Sequence, residues 1–310
     1  MSAIPTQPNV TRGIFLMLSA ITVFTFMSAF IKAAERVPAG EAMFFRSVMA
    51  LPIILVWLAT HDGIRQGIQT QSVRNHAVRG IVGSCAMGLG FAGLKFLPLP
   101  EVTAIRFVTP IAMVVLAALI LGERFRLVRI AAVALGFVGV VIIVAPRLSV
   151  GLGSTEALGV VLVLGSACLA ALAQVFVKGM SGQESTTAIV FWFSMTSTVL
   201  SLLTVPFGWV WPTGYEAALL VGAGIVGGLG QILLTSSYRF AEAGVLAPFT
   251  YVSMLWSVVI GYFWFNEIPT LGMLAGAGLV ICAGVIIVLR ERQLGLDATA
   301  RRKVKAKGLQ

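Results

Sequence analysis

Ten separate runs of this chain are apolar and about 20 residues long, the length at which a helix rising about 1.5 Å per residue crosses a hydrocarbon layer about 30 Å thick. They fall at about 13–32, 41–60, 79–97, 101–121, 127–145, 156–177, 187–207, 215–238, 244–265 and 270–290. None alternates polar and apolar residues as a barrel strand would, and each is about twice a barrel strand's length. Only 60–78, THDGIRQGIQTQSVRNHAV, makes a loop of any size. The expected fold is all-α and integral to a membrane, with ten transmembrane helices. Composition agrees. The 310 residues are 58% hydrophobic and 11% charged, whereas a soluble domain is about 25% charged and needs that polar cover.

Charge sets the expected orientation. With the N-terminus inside, Arg12, Arg65, Arg74, Arg79, Arg124, Arg126, Arg129, Lys178, Arg239 and seven residues near the C-terminus fall inside. That is sixteen against four outside, namely Lys32, Arg36, Lys95 and Arg147. Lys and Arg collect on cytoplasmic loops. Both termini are therefore expected in the cytoplasm, and the chain in the inner (plasma) membrane. Orientation also accounts for the net charge of +10 without a nucleic-acid partner. The expected partners are the lipid bilayer and a small-molecule substrate, with the chain a monomer or, alternatively, a homodimer. MSAIPTQPNVTR lacks a strongly basic region, so the first run reads as a retained helix rather than a cleaved signal. Cys85, Cys168 and Cys282 show no CxxC spacing and read as small buried hydrophobes.

The runs repeat. GIFLMLSAITVFTFMSAFIK (13–32) aligns without gaps on GVVLVLGSACLAALAQVFVK (159–178), pairing Lys32 with Lys178. GIVGSCAMGLGFAGLKF (80–96) aligns on GIVGGLGQILLTSSYRF (224–240), and Glu123 stands opposite Glu267. Three matches in order at a nearly constant offset imply two five-helix halves, 13–150 and 151–290, flanked by a cytoplasmic N-terminus (1–12) and a basic cytoplasmic tail (291–310). Five is odd, so the second half starts on the opposite face and the repeats are inverted. Inverted repeats around a central cavity are a transporter architecture.

At this point the chain resembles the drug/metabolite transporter superfamily, in particular its EamA-like ten-helix exporters. The residues that carry the likeness are LGE followed by GFVGVVII, the echo FNE with GAGLVICAGVIIV, and Arg46 with Ala50 in FFRSVMALP. The second half departs from the first, with Phe193 near the place of Arg46 and FNE for LGE. The resemblance implies a basket of helices around a central cavity, with spans 5 and 10 peripheral. It also implies export of small metabolites, often aromatic or other neutral amino acids. A proton-coupled drug or metabolite exporter is the alternative, and a channel or scaffold a further one.

Helical spacing then proposes which residues face the cavity. The candidates for substrate binding are Ser28, Phe91, Arg106, Thr109, Gln174, Gln231, Thr235, Tyr238, Tyr251, Ser253 and Trp256. Small and hydroxyl residues also serve plain helix packing, whereas an amide such as Gln174 or Gln231 needs partners in hydrocarbon. Arg106, on the polar stripe of span 4, is expected to attract a substrate carboxylate or brace the cavity mouth, with snorkelling as the alternative. Arg46, Glu123 and Glu267 are assigned structural roles, with snorkelling again the alternative for Arg46. Pro110 cannot donate to the carbonyl of Arg106, so span 4 should bend there. Pro248 sits early in span 9, the symmetry partner, and the two are read as gating hinges.

Other chemistries find no support. No metal, cofactor or catalytic residue is expected, because no carboxylates, histidines or cysteines converge at one depth. GAGIVG (222–227) matches a dinucleotide motif but lies inside an apolar span. GMLAG (272–276) reads as a small-residue contact, within the fold or between subunits. No proton carrier is placed mid-membrane, so transport down the substrate's own gradient is expected, with proton exchange as runner-up.

Overall fold

In lipid every peptide group must find its hydrogen bond within the chain, and a helix does this locally. The computed structural model describes residues 10–61, 63–121, 127–148, 154–180, 184–240, 246–286 and 289, and the helices account for nearly all of them. They are α1 (Val10–Ala33), α2 (Ala39–Val48), α3 (Ala50–His61), α4 (Ile64–Ile68), α5 (Val73–Gly93), α6 (Leu99–Arg106), α7 (Val108–Leu121), α8 (Leu127–Leu148), α9 (Thr155–Met180), α10 (Thr186–Leu202), α11 (Gly214–Phe240), α12 (Val252–Phe265) and α13 (Leu271–Ile286). A 3-10 turn, Ala247–Tyr251, leads into α12. Grouped in order, these make ten crossings in two five-helix halves, as the apolar runs predict. Val10–Ala33, Ala39–Thr60, Thr155–Val177 and Gly214–Leu234 are long and apolar enough to cross a membrane unaided.

The interruptions have a covalent cause. Pro52 has no N–H for the carbonyl of Val48, and the second crossing turns at Met49, between α2 and α3. Pro110 likewise has none for Arg106, and the fourth crossing turns at Phe107, between α6 and α7. Caps mark other boundaries. Ser72 accepts from the Asn75 N–H at the start of α5, and Ser185 from the Ala188 N–H at the start of α10. Asn266, left-handed at φ 54°, ends α12.

The halves interlock. α1 lies along α11, and α5 along α9. In repeat order, the first helix of each half packs on the third helix of the other. α2 packs on α10, and α6 on α12, so like meets like near the pseudo-two-fold axis. The largest buried apolar cluster joins both halves, with Ile31, Ala34, Leu94, Leu97 and Leu99 at its densest part, each at most 1% exposed. Cys85, Cys168 and Cys282 are exposed rather than buried, an expectation corrected: they lie on faces of the bundle, where a small apolar thiol is at home in lipid.

The GMLAG segment splits between two environments. Gly276 meets α8 inside the fold, where a Cβ would stand 2.6 Å from the Gly139 carbonyl oxygen, and a Cβ on Gly139 would stand 2.7 Å from that of Gly276. Gly272 faces open space. Replacing Gly276 with Val should therefore push α13 off α8. The expected loss is about 1–3 kcal/mol, read as a lower melting temperature of purified protein, while Gly272→Val leaves it unchanged.

Candidate functional site

At one end of the bundle a single lysine links three segments. Lys32, in the last turn of α1, places its ammonium 3.0 Å from Glu267 Oε1 and donates to the carbonyls of Leu97 at 2.7 Å and Leu94 at 3.2 Å. The other Glu267 oxygen accepts the Leu99 N–H at 2.8 Å, where its charge also suits the start of α6. The Glu267 N–H closes the corner on the Gly261 carbonyl at 2.9 Å. One ion pair thus joins α1, the α5–α6 turn and the α12–α13 corner, all above the densest part of the apolar core. Lys95 donates alongside to the carbonyls of Ala34 and Glu35.

The opposite end is held by a carboxylate. Glu184 accepts from the Thr70 hydroxyl at 2.9 Å and from the N–H groups of Gln71 at 2.8 Å and Ser72 at 3.0 Å, and faces His76 Nε2 at 3.3 Å. Burial pushes this carboxyl upward, but these donors outweigh it and hold the group below its ordinary range. They fasten the α4–α5 connection, within the 60–78 stretch expected to be a loop, to the α9–α10 corner.

Between the two ends lies the polar middle. Phe107 and Tyr251 are separated by the same offset as Glu123 and Glu267, and their rings meet edge to face at 5.0 Å. Arg106, just before the interruption at Phe107, lays its guanidinium over Gly90 of α5. A Cβ there would stand 2.6 Å from Arg106 Nη2 and 2.8 Å from the Ser166 hydroxyl, so only glycine leaves this room. Ser166 itself donates to the Ala86 carbonyl at 2.6 Å. Across the bundle Arg46 is only 4% exposed and lies 5.7 Å from the centroid of Phe193. That burial removes the snorkelling alternative for Arg46. Arg79 approaches the same ring at 4.0 Å. Sequence reasoning missed Arg79, counting it among loop cations; without it the charge tally is fifteen against four.

The other sequence candidates divide by face. Gln174 is exposed on α9, yet lies about half a turn from the exposed apolar stripe of Leu158 and Val161. Gln231 stands in the same relation to Ile225 and Leu229 on α11. Both amides therefore lie off the exposed apolar stripes of their helices. Trp256 shares the exposed apolar face of α12 with Leu255, Val259 and Phe263, which puts its ring on the lipid side and away from the interior. Phe91 is 1% exposed and fills the core. Ser28 is buried and donates to the Phe24 carbonyl at 3.1 Å. Ser253, half-buried, donates to the Thr250 carbonyl at 2.7 Å, and Thr109 is half-buried on α7. The surroundings of Thr235, Tyr238, Pro110 and Pro248 lie outside the described residues, as does Glu123. Among the described residues no cluster of His, Cys, Asp and Glu could hold a metal.

The EamA-like transporter family matches residues 11–145 and again 157–290. The pseudopaline exporter CntI of Pseudomonas aeruginosa is 29% identical over 283 residues, covering 89% of this chain and 95% of that protein. The S-adenosylmethionine uptake transporter of Rickettsia prowazekii is 25% identical over 291 residues, covering 94% and 96%. A solved crystal structure superposes with a TM-score of 0.65 over 92% of this chain and 99% of its own, at 19% identity, a likeness of fold.

If the Lys32 ion pair holds its end closed, Glu267→Gln should loosen it. Lys32 keeps its two carbonyl acceptors, so the expected cost is about 1–3 kcal/mol, seen as a lower melting temperature. In a background without native cysteines, a cysteine at Thr103 of α6 should also alkylate faster. An unchanged alkylation rate would show that the ion pair closes nothing.

Proposed function

We propose that this chain, which belongs to the EamA-like transporter family, exports small metabolites of the amino-acid class by alternating access between its two halves. It is a membrane transporter and not an enzyme. The finer reading assigns the end bearing Lys32 to the outside and both termini to the cytoplasm, in an inner membrane, following the excess of inner-side Lys and Arg. On that assignment the ion pair shuts the outward path. This is the observation that carries export, since a carrier closed outside can load from the cytoplasm.

Substrate recognition is assigned to the polar middle. Arg106 would take the carboxylate in a two-pronged contact, the amides of Gln174 and Gln231 would add directional polar contacts, and the Phe107–Tyr251 pair would face an apolar or aromatic side chain. Aromatic and neutral amino acids are accordingly the first compounds to try. The energy source on this reading is the substrate's own gradient, since a guanidinium does not give up its proton in a protein.

Counterflow in liposomes tests the reading. Purified protein should exchange external labelled phenylalanine for internal unlabelled phenylalanine, saturably and independently of an imposed pH gradient. Arg106→Ala should weaken apparent affinity by about tenfold or more, corresponding to about 1.4 kcal/mol or more. Linear, non-saturating flux would indicate a pore, and a pH-gradient requirement would indicate proton exchange.

A further inference from the structure

Two arginines meet at one ring in the bundle, and among the described residues neither has an ion-pair partner. Arg46 comes from α2 and Arg79 from α5, and Phe193 stands near the middle of α10. Their guanidinium carbons lie 5.7 Å and 4.0 Å from the Phe193 centroid. Arg46 enters from the Lys32 end of its crossing and Arg79 from the His76 end of its own, so the two side chains converge from opposite directions.

A ring face satisfies only the face of a guanidinium. The in-plane N–H donors need oxygens, and here they lack them. Nε and Nη1 of both arginines are buried with no hydrogen-bond partner, and the hydroxyl of Ser47, beside Arg46, is also buried and unpartnered. The ion pairs among the described residues use Lys32, Arg36 and His76, and none involves Arg46 or Arg79. Glycines keep the place open: Gly227 of α11 stands against Arg46, and Gly83 of α5 against Phe193. Two like charges repel strongly where water is scarce, and buried charges are otherwise paired. The position of closest approach therefore favours an incoming oxyanion.

We propose that Arg46 and Arg79, with Phe193 between them, form an oxyanion-binding site for the acid group of a transported substrate. The substrate class this assigns is small organic acids with net negative charge, beyond the single carboxylate of a neutral amino acid that Arg106 would hold. The proposal rests on the carrier reading above and moves its preferred substrate from neutral amino acids to acids of net negative charge.

The test is thermal stabilisation of the purified protein in detergent at constant ionic strength. Succinate, glutamate, citrate and inorganic phosphate serve as probes, with glutamine and phenylalanine as uncharged-side-chain controls. At least one acid should bind tenfold or more tightly than the controls, and glutamate more tightly than glutamine. Arg79→Gln and Arg46→Gln should each reduce the acid's affinity at least tenfold, while Arg79→Lys retains part of it. The comparison of glutamate with glutamine on unmodified protein stands even if a variant fails to fold. Equal affinity for acids and controls, or unchanged acid affinity in a folded variant, would overturn the site. Phenylalanine counterflow without any acid preference would sink the oxyanion site and leave the carrier intact. Acid binding without counterflow of any probe would do the reverse.

Discussion

The first helix of each half rests on the third helix of the other, and the remaining architecture depends on that exchange. Lipid gives apolar helices little reason to associate, so association rests on close fit and on polar contacts. With α1 against α11 and α5 against α9, neither half owns a core; each completes the other's. The exchange leaves the fourth and ninth crossings at the axis. The fourth is interrupted at Phe107 and the ninth passes from a 3-10 turn to α-helix at Tyr251, and these two residues touch through their rings. A continuous helix there would bury its carbonyls in its own hydrogen bonds. An interruption there changes the hydrogen-bond pattern of the backbone, which lipid tolerates only where protein or a cavity lies alongside.

The Lys32–Glu267 pair shows how charge can link the two halves of such a bundle. Either ion alone would be costly so close to the apolar core. Together they are tolerated because every donor and acceptor nearby is used: two carbonyls on the lysine, a backbone N–H on the carboxylate. The contact runs between halves, so it reports on their relative position. Helices sliding within one half would leave it unaffected, while rocking one half against the other would break it.

Periodicity and charge made the ten crossings legible, because the length of an apolar run and the absence of water leave one solution for the backbone. The break near Pro110 was legible for the same reason: a missing N–H is a covalent fact. The repeat exposed Lys32 and Glu267 as recurrent residues, but no local pattern could say that one reaches the other across the halves. Arg79 was misjudged because the rule for flanking cations treats a residue near the start of a span as a loop residue. A long side chain can travel inward as easily as outward, and the ring of Phe193, in another half, decides which. Trp256 was misjudged in the opposite sense. An aromatic near a polar stripe looks like a cavity wall until its neighbours Val259 and Phe263 fix its face.

The three interior arginines also constrain how energy can be used. Arg46, Arg79 and Arg106 carry charge that does not titrate in the physiological range, so the interior stays positive whichever end is open. A carrier whose central charge is fixed cannot alternate between proton-loaded and proton-free forms through these groups. On the oxyanion proposal, what would alternate is the presence of the ligand: with an anion seated the interior charge is offset, and without one it is not. A positive, water-poor centre tolerates closure at both ends far better when occupied, and closure at both ends is the step through which alternating access must pass. On the oxyanion proposal, fixed guanidinium charge would tie the conformational step to substrate occupancy, which is the requirement for exchange of one substrate molecule for another.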